Sequence, residues 1–480
     1  MEPGKMMRCL SVSVSILLIP LFVTESLQAG DATYFRHDHG IAQDSAELPR
    51  GFGADSNMLW RVAVESGISS PCVHGHYIFI TTYDKATSEL ATVALRRDTG
   101  ATVWKQSAPA TRIETVHQVG SPAACTPACD GERVYSFFGS CGLLCYSLDG
   151  HLVWSRELGP FQDEFGASSS PILVDDLVIL NEDHDVDCVL IAIDKFTGEV
   201  RWTAPRDGFT RSYSSPILLE TPHERSLIVA GSLRLVAYEI ATGKPKWWVN
   251  GLSRIVDPTP VYADGHIFIA TWTPGGDSSS RISMAHYAEA LTTYDRDGDG
   301  LIAKTELSEG PVLTRFFRID LDQDEKLSNS EWDAHARVFE LAQNSAMAIR
   351  PGGTGDVTES AIEWTYRKGL PTVPSSIVYG GVVYMVKDSG IITTLDATTG
   401  SLLKQGRARG PGNYYASLIA GDGKVYLASE RGVITVLNAD RDWSILTSHD
   451  FGERIMATPT IKDGRIYVRT DDAMYCFGKS

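Results

Sequence analysis

The chain has 480 residues, of which 43% are hydrophobic and 21% charged, with 43 glycines and 22 prolines. This balance is typical of a globular protein, and it excludes a disordered or collagen-like chain. The formal net charge of −17 disfavours contact with phosphate backbones, so we expect no nucleic-acid partner.

The N-terminus has the order of regions found in a secretory signal peptide. Lys5 and Arg8 precede an apolar run at 9–23, which is shorter than the about 20 residues that a membrane-spanning helix needs. We expect residues 1–29 to be a signal peptide and residues 30–55 to be an N-terminal arm. The mature protein is then exported, to the periplasm, the cell surface or the medium, without a membrane span. A retained anchor is the alternative.

Seven cysteines remain after the predicted cleavage. Export would place them in an oxidising compartment, where pairing is possible. Cys125 and Cys129 flank a Thr-Pro-Ala turn and are the predicted disulfide. Cys141 and Cys145 lie on one predicted strand, about 13 Å apart, which is too far for a mutual bond. Their spacing with the first pair leaves a zinc site as a minor alternative.

The arm also carries two histidines, His37 and His39. We expect a mobile polar segment here, with a metal site as the alternative.

A unit with four predicted strands recurs along the chain. It opens with a small residue and usually proline, continues through an apolar run and an alternating strand, and ends with a Thr-Gly turn and a strand that carries tryptophan. The openings are at Pro71, Pro122, Pro171, Pro216, Pro260, Ser375, Ser417 and Pro459. Four short strands at a period of about 40 to 50 residues predict an all-β fold, a β-propeller.

The clearest copy of the end of the unit runs from Ala192 to Trp202. Asp194 can cap the turn, Gly198 permits a positive φ, and Trp202 offers a flat face to the neighbouring unit. A lone four-stranded sheet cannot bury both faces, whereas radial stacking lets each unit cover the next.

Eight openings predict eight blades of four antiparallel strands, with seven as the alternative. The first predicted strand, at 58–64, carries Trp60 without a preceding unit, and the last unit, at 461–476, stops before its tryptophan strand. We therefore expect the first strand to complete blade eight and hide two sheet edges.

The Ala-x-Asp-x-x-Thr-Gly-x-x-x-Trp segments resemble the docking motif of PQQ-type propeller repeats. Those repeats occur in quinoprotein alcohol dehydrogenases and in the outer-membrane assembly factor BamB and its relatives. The resemblance covers roughly 56–272 and 345–480, as blades one to five and five to eight. Single copies depart from the motif at Arg96, Glu239 and Lys404. The vicinal cysteine pair on which many of these dehydrogenases stack PQQ is absent, so we do not expect PQQ.

Blade five is longer than a plain unit by about 70 residues, and its surplus, residues 273–344, contains two acidic twelve-residue loops. The first loop offers oxygens from Asp295, Asp297, Asp299, the Leu301 carbonyl and Glu306. Gly300 allows the sharp turn, and Ile302 can join a short β-pairing. A hard cation takes six to eight oxygens, so this loop resembles those of the EF-hand family and predicts bound Ca²⁺.

The second loop offers Asp320, Asp322, Asp324, the Lys326 carbonyl, Ser328 and Glu331. Glu325 replaces the glycine of the turn, and a left-handed conformation there costs about 1–2 kcal/mol. The second site is therefore predicted to be the weaker one.

Helical spacing on both sides of the loops completes a small all-α EF-hand pair. The predicted apolar faces are Met284, Tyr287, Ala288 and Leu291 before loop one, and Trp332, Ala336 and Phe339 after loop two. Because strands alternate in direction, we expect the pair to overhang the upper mouth of the propeller.

Other polar residues are predicted on the same rim. Blade three contributes the acidic loop 182–187, and inter-blade connections contribute Arg112 with His117, Arg211 with Tyr213 and Arg254 with Asp257. These residues either bind a polar ligand or a cation, or brace neighbouring blades.

The pattern favours an exported, non-enzymatic propeller that binds a protein or polysaccharide partner at its upper face and carries calcium. The alternatives are a PQQ-dependent, quinoprotein-like dehydrogenase and a polysaccharide-binding or lyase-like propeller.

Overall fold

The computed structural model describes Met1 and residues 34–479, except Ser45, Ala54, Asp55, Ser278, Ser280, Ile282 and Ser283. Apart from Met1, the predicted signal peptide therefore lies outside the described residues. No helix in the described part of the chain is long and apolar enough to cross a membrane.

Eight sheets form the blades, each with four antiparallel strands, and in blades one to seven these strands pair in sequence order. Blade four has a fifth strand, Gly355–Asp356, which pairs parallel with its outer strand. First strands of adjacent blades contact one another, so these strands lie at the centre of the ring. Blade one comprises Cys72–His74, Tyr77–Asp84, Glu89–Arg96 and Thr102–Ser107; blade two Ala128–Cys129, Arg133–Phe138, Gly142–Ser147 and Leu152–Arg156; blade three Ile172–Val174, Leu177–Glu182, Val189–Asp194 and Val200–Pro205; blade four Ile217–Glu220, Arg225–Gly231, Arg234–Tyr238 and Pro245–Asn250. Blade five comprises Val261–Ala263, His266–Thr271, Ser345–Ile349 and Ile362–Tyr366; blade six Ile377–Tyr379, Val382–Lys387, Ile391–Asp396 and Leu402–Arg407; blade seven Ile419–Gly421, Lys424–Ala428, Val433–Asn438 and Ile445–Asp450.

Blade eight joins the two ends of the described chain. Its strands are Thr460–Lys462, Arg465–Arg469, Ala473–Phe477 and, as the outer strand, Met58–Ala63. Trp60 lies opposite Cys476 in this pairing. The prediction of eight blades rather than seven is confirmed, and the predicted pairing of the first strand with the last unit is present.

A closed ring of hydrogen bonds runs around the centre of the propeller. In each blade a serine or threonine just before the first strand donates its backbone N–H to the hydroxyl oxygen of its counterpart in the next blade. The residues are Ser70, Thr126, Ser170, Ser215, Thr259, Ser375, Ser417 and Thr458, and the last donates to Ser70. The distances are 2.9 to 3.3 Å, so all eight buried N–H groups are satisfied by one repeated contact.

This ring corrects the predicted opening of blade two. The residue that accepts from the Ser70 N–H is Thr126, which precedes Pro127, whereas the predicted opening was at Pro122. The hydroxyl of Ser121 instead accepts a local hydrogen bond from the Ala123 N–H at 3.1 Å. Both sites have a small hydroxyl residue followed by proline, and only the spatial position of the hydroxyl separates them.

Neighbouring blades are held together by eight hydrophobic clusters of described residues, one between each pair. The tryptophan of the fourth strand takes part in most of these interfaces. The indole of Trp154 donates to the Lys195 carbonyl at 3.1 Å, and its ring covers Gly198, where a Cβ would lie 2.7 Å from the indole. Trp202 covers Gly243 in the same way. Glycine is required at each such turn, because a side chain there would clash with the tryptophan of the preceding blade.

Four of the described cysteines are distributed over both faces of blade two. Cys125 and Cys145 pack between blades two and three, whereas Cys129 and Cys141 pack between blades one and two. The Cys125 thiol donates to the Ala167 carbonyl at 3.3 Å. The predicted Cys125–Cys129 disulfide is therefore wrong, and the same separation excludes a zinc site made of these four cysteines.

The described part of the N-terminal arm is packed rather than mobile. A 3-10 helix spans His37–Gly40, and the Arg36 guanidinium before it donates to the Leu418 carbonyl at 2.8 Å and the Ser376 carbonyl at 2.9 Å. The expectation of a mobile segment is corrected by these contacts with blades six and seven.

The residues between the second and third strands of blade five, called the insert below, are mainly helical. They contain α1 (Tyr287–Tyr294), α2 (Pro311–Thr314), α3 (Phe316–Ile319) and α4 (Asn329–Leu341), and a short α5 (Thr358–Ala361) follows later in blade five. The insert has a hydrophobic cluster of its own that includes Tyr287, Ala290 and Trp332. Ala288, predicted on this face, is exposed, because the buried side of α1 continues through Ala290 and Tyr294.

We expect Gly198→Ala to lower the free energy of unfolding by about 1–3 kcal/mol more than Gly265→Ala. Both glycines have positive φ, +75° and +79°, but nothing lies within 4 Å of a Cβ at Gly265. Comparing the two variants thus separates the destabilisation caused by the clash with Trp154 from the destabilisation caused by backbone strain. Denaturant unfolding of both variants measures the difference, and equal losses would contradict the docking role of Gly198.

Candidate functional site

The two acidic loops of the insert have the same hydrogen-bond pattern around their last carboxylate. In loop one, Glu306 Oε1 accepts from the Arg296 N–H at 2.7 Å, and Oε2 accepts from the Ala303 N–H at 2.8 Å. These backbone hydrogen bonds lower the pKa of Glu306, so its carboxylate stays ionised at neutral pH. In loop two, Glu331 accepts from the Leu321 and Ser328 N–H groups at 2.7 and 2.8 Å.

The first carboxylate of each loop accepts hydrogen bonds from backbone N–H groups later in the same loop. Asp295 accepts from the N–H groups of Gly298 and Gly300 at 2.7 and 3.1 Å. Asp320 accepts from Asp324 and Glu325, both at 3.1 Å. Glu325 has a φ of +64°, so the left-handed conformation predicted for this non-glycine position is present.

The loops are joined back to back by a two-residue antiparallel pairing. Ile302 pairs with Leu327, and Ala303 pairs with Lys326. The Lys326 ammonium forms an ion pair with Asp299 of loop one, which leaves the Lys326 carbonyl, not its side chain, as the group suited to loop two.

The carboxylates of each loop lie close enough to hold one cation. Asp295, Asp297 and Glu306 form one group, and Asp320, Asp322 and Asp324 form another, with ligand atoms within 4.8 Å of one another in each. Both acidic clusters could therefore bind a metal ion. Asp299 lies outside the first group, since Lys326 holds it, and Glu331 lies outside the second.

The insert lies against the connections between blades two, three, four and five. The Gln162 amide donates to the Leu321 carbonyl, and the Arg318 guanidinium lies 3.4 Å from the Glu164 carboxylate. Val338 of α4 and Ala342, which follows this helix, pack on Leu233 of blade four. These contacts put the insert at the mouth of the central cavity, on the side predicted from strand direction.

The central cavity has a volume of about 500 Å³. Five members of the Ser/Thr ring line it, together with inter-blade connections and Arg318 of the insert. Its polar lining includes Glu164, Tyr213, Asp257 and Asp388. A concave site of this size with few converging polar groups is typical of small-ligand binding.

Beside the cavity, the acidic loop of blade three is buried in a charged network. His184 lies 3.1 Å from Asp163 and 2.8 Å from Glu182. Burial opposes the charged imidazolium, but the hydrogen bonds to Asp163 and Glu182 outweigh it and raise the pKa of His184 to about 10. The Tyr213 hydroxyl donates to Asp163 at 2.7 Å, which links the network to the cavity.

Two arginines of this region bind the acidic loop of blade three. Arg206 makes a fully buried bidentate pair with Asp183 at 2.6 and 2.7 Å. Arg211 pairs with Asp185 and with Glu164, and Arg254 donates to the Pro274 carbonyl at 3.1 Å. Of the rim residues predicted from sequence, His117, Tyr213, Arg254 and Asp257 line the central cavity, whereas Arg211 and most of the loop brace blade three and its neighbours.

Glu114, which the sequence did not single out, is buried next to this network. Its carboxylate lies beside Gly139 and Gly166. Burial raises the pKa of Glu114 to about 7, and the nearby Asp163 and Glu182 add to the shift. No spacing or motif marks Glu114, Asp163 or Arg318, because each acquires its partners from a different blade or from the insert.

Comparison with known proteins gives the following. The model of the family described as outer membrane protein assembly factor BamB matches residues 52–164, 89–247 and 211–418. No curated protein matches the chain.

Three solved structures share the fold at low identity. BamB from Moraxella catarrhalis is 12% identical, with 88% of this chain and 99% of that chain covered and a TM-score of 0.54. A europium-containing methanol dehydrogenase is 10% identical, with 94% and 98% covered and a TM-score of 0.54. The quinohemoprotein alcohol dehydrogenase ADHIIG from Pseudomonas putida HK5 is 12% identical, with 88% and 76% covered and a TM-score of 0.52.

The raised pKa of Glu114, about 7 against an ordinary 4.5, predicts a pH-dependent stability. Between these two values the folded state keeps a proton that the unfolded state releases, so the free energy of unfolding falls as pH rises. We expect Glu114→Gln to remove this loss. The free energy of unfolding of the variant, relative to that of wild type, should therefore rise by about 1–3 kcal/mol between pH 5 and pH 8.

Denaturant unfolding at several pH values measures the gain. Glu132→Gln, at an exposed turn of the same blade, is the control and should follow wild type. If the free energy of unfolding depends on pH in the same way in wild type and in Glu114→Gln, the raised pKa of Glu114 is contradicted.

Proposed function

The chain belongs to the family described as outer membrane protein assembly factor BamB, and from this premise we propose that it is an exported, non-enzymatic propeller that presents a binding face to a partner. The match to that family over residues 52–418 is the observation that carries the proposal. The charged network of blade three supports it as well, because its carboxylates are taken up by Arg206, Arg211 and His184. A rim braced in this way suits a rigid docking surface.

The partner is proposed to bind at the upper face, where the insert and the inter-blade connections meet. The family description favours a protein partner, and a polysaccharide is the second possibility. Export follows from the predicted signal peptide at residues 1–29, since its charge pattern and length suit secretion.

We propose that the insert is an EF-hand pair that binds Ca²⁺ in both loops. Loop one would use Asp295, Asp297, Asp299, the Leu301 carbonyl and Glu306, and loop two Asp320, Asp322, Asp324, the Lys326 carbonyl, Ser328 and Glu331. The clustering of three carboxylates in each loop supports this assignment, as does the shared pattern around Glu306 and Glu331.

The two sites should differ in strength. Glu325 holds a positive φ without being glycine, which weakens loop two by about 1–2 kcal/mol. A bound cation neutralises the clustered carboxylates. It therefore stabilises the folded insert and its packing on the propeller. Affinities of about 10⁻⁴–10⁻³ M, common for extracellular modules, suit such a constitutive role.

The second candidate function is a PQQ-dependent dehydrogenase, and the fold shared with a methanol dehydrogenase favours it. Stacking PQQ as many quinoproteins do would require a tryptophan on one side and adjacent cysteines on the other. The described lining of the central cavity contains neither residue type, so the residues present do not fit that arrangement. A lyase-like role for the loop 182–187 is weakened because Asp183 and His184 are buried.

Reconstitution of the mature protein with PQQ and calcium tests the non-enzymatic role. We expect no quinone absorbance band after removal of free PQQ, and no dye reduction above a calcium-only control with primary alcohols. A retained band with turnover would overturn the scaffold proposal in favour of the dehydrogenase.

Removal of calcium tests the insert. We expect a chelator to lower the melting temperature by about 2–5 °C, because a ligand that binds only the folded state stabilises it. Glu306→Gln should abolish most of this difference, and Glu331→Gln a smaller part.

Glu309→Gln removes an exposed carboxylate of the insert outside both loops and should respond to the chelator as wild type does. An unchanged melting temperature of the wild-type protein in chelator would contradict the calcium assignment.

A further inference from the structure

Three arginines gather at the mouth of the central cavity in a protein whose net charge is −17. Arg254 comes from the connection between blades four and five, Arg315 precedes helix α3 of the insert, and Arg318 lies within that helix. Arg254 and Arg318 line the cavity. The guanidinium carbons of Arg254 and Arg315 lie 5.5 and 5.9 Å from the centre of the same Phe339 ring.

These arginines have few anionic partners. Arg318 has Glu164 at 3.4 Å, but that carboxylate also pairs with Arg211. Within the described part of the chain, Arg254 and Arg315 form no ion pair; they donate to the carbonyls of Pro274 and Pro311. The buried Nε of Arg318 has no hydrogen-bond partner among the described residues.

The arginines act on one another and on a neighbouring histidine through their charge. Burial, followed by repulsion from Arg318, lowers the pKa of Arg254 to about 10. Burial and the same arginines lower the pKa of His335, which lines the adjoining cleft, to about 3. A neutral imidazole therefore faces the cluster, and an anion at the mouth would relieve the repulsion.

The same cavity also offers hydrogen-bond acceptors and aromatic rings. Asp257 and Asp388 offer carboxyl oxygens, and the Thr372 hydroxyl donates to Asp388 at 2.8 Å. Phe165 and Tyr415 contribute aromatic rings to the lining. The lining thus combines cationic groups with hydrogen-bond acceptors and aromatic rings.

We propose that the central cavity binds an acidic sugar of one or two units, with its carboxylate between Arg254 and Arg318 and its hydroxyls donating to Asp257 and Asp388. The planar guanidinium fork matches a carboxylate and can bind it through two hydrogen bonds. Carboxylates accept the hydroxyl hydrogens of a sugar, and aromatic rings pack on its C–H faces. A volume of about 500 Å³ is within the range for small ligands.

This site goes beyond the scaffold and calcium roles, and its failure would leave both untouched. It concerns a small molecule in the cavity, whereas those roles concern a partner on the rim and an ion in the insert.

Isothermal titration of the mature, calcium-loaded protein with three probes tests the proposal. Glucuronate has both the carboxylate and the hydroxyls, glucose lacks the charge, and acetate lacks the hydroxyls. We expect glucuronate to bind at least about tenfold more tightly than either of the other two.

Arg254→Ala and Arg318→Ala should each weaken glucuronate binding about tenfold or more. Lys85→Ala removes one charge at an exposed position of blade one and should leave the affinity unchanged. Melting curves establish that the variants are folded, and Arg254→Gln and Arg318→Gln replace any alanine variant that is not.

No binding of glucuronate, equal binding of glucose or acetate, or wild-type affinity in the folded arginine variants would each overturn the proposal.

Discussion

The burial of blade faces against neighbouring blades is the constraint on which the rest of the structure depends. A single four-stranded blade exposes two apolar faces, and each is covered only by the blade beside it. The eight inter-blade clusters and the ring of Ser/Thr hydrogen bonds are two expressions of that dependence. Because Met58–Ala63 pairs with Ala473–Phe477, no blade is left without a neighbour, and the inner ring of hydrogen bonds is complete.

Closure of the ring also decides where polar groups can collect. Inter-blade connections converge around the central cavity, and the insert joins them because it leaves blade five between its second and third strands. Arg318 of the insert and Arg254 of the propeller thereby line one cavity, although more than sixty residues of sequence lie between them. The mouth of the cavity is thus built by both the propeller and the insert. The proposed partner binding and calcium binding, by contrast, are assigned to different parts of the molecule.

Buried charge has a different role on the blade-three side of the cavity. Asp183 with Arg206, and His184 with Asp163 and Glu182, are removed from water, and such groups are tolerated only when each is paired. Their mutual pairing fixes the connections around blade three and leaves Tyr213 and Glu164 to face the cavity. The acidic loop 182–187, conspicuous in the sequence, is therefore mainly a brace.

The sequence by itself determined the repeat, the number of blades, the tryptophan that faces the neighbouring blade and the positions of the acidic loops, because each depends on residue types at fixed local spacing. It misplaced the opening of blade two and paired Cys125 with Cys129, since Ser-Pro and Thr-Pro look alike locally and the two faces of a short strand cannot be told apart without its neighbours. Only the tertiary structure joined Glu114 to the buried network and gathered Arg254, Arg315 and Arg318. Those contacts connect different blades and the insert, and their distances follow from ring closure rather than from any local periodicity.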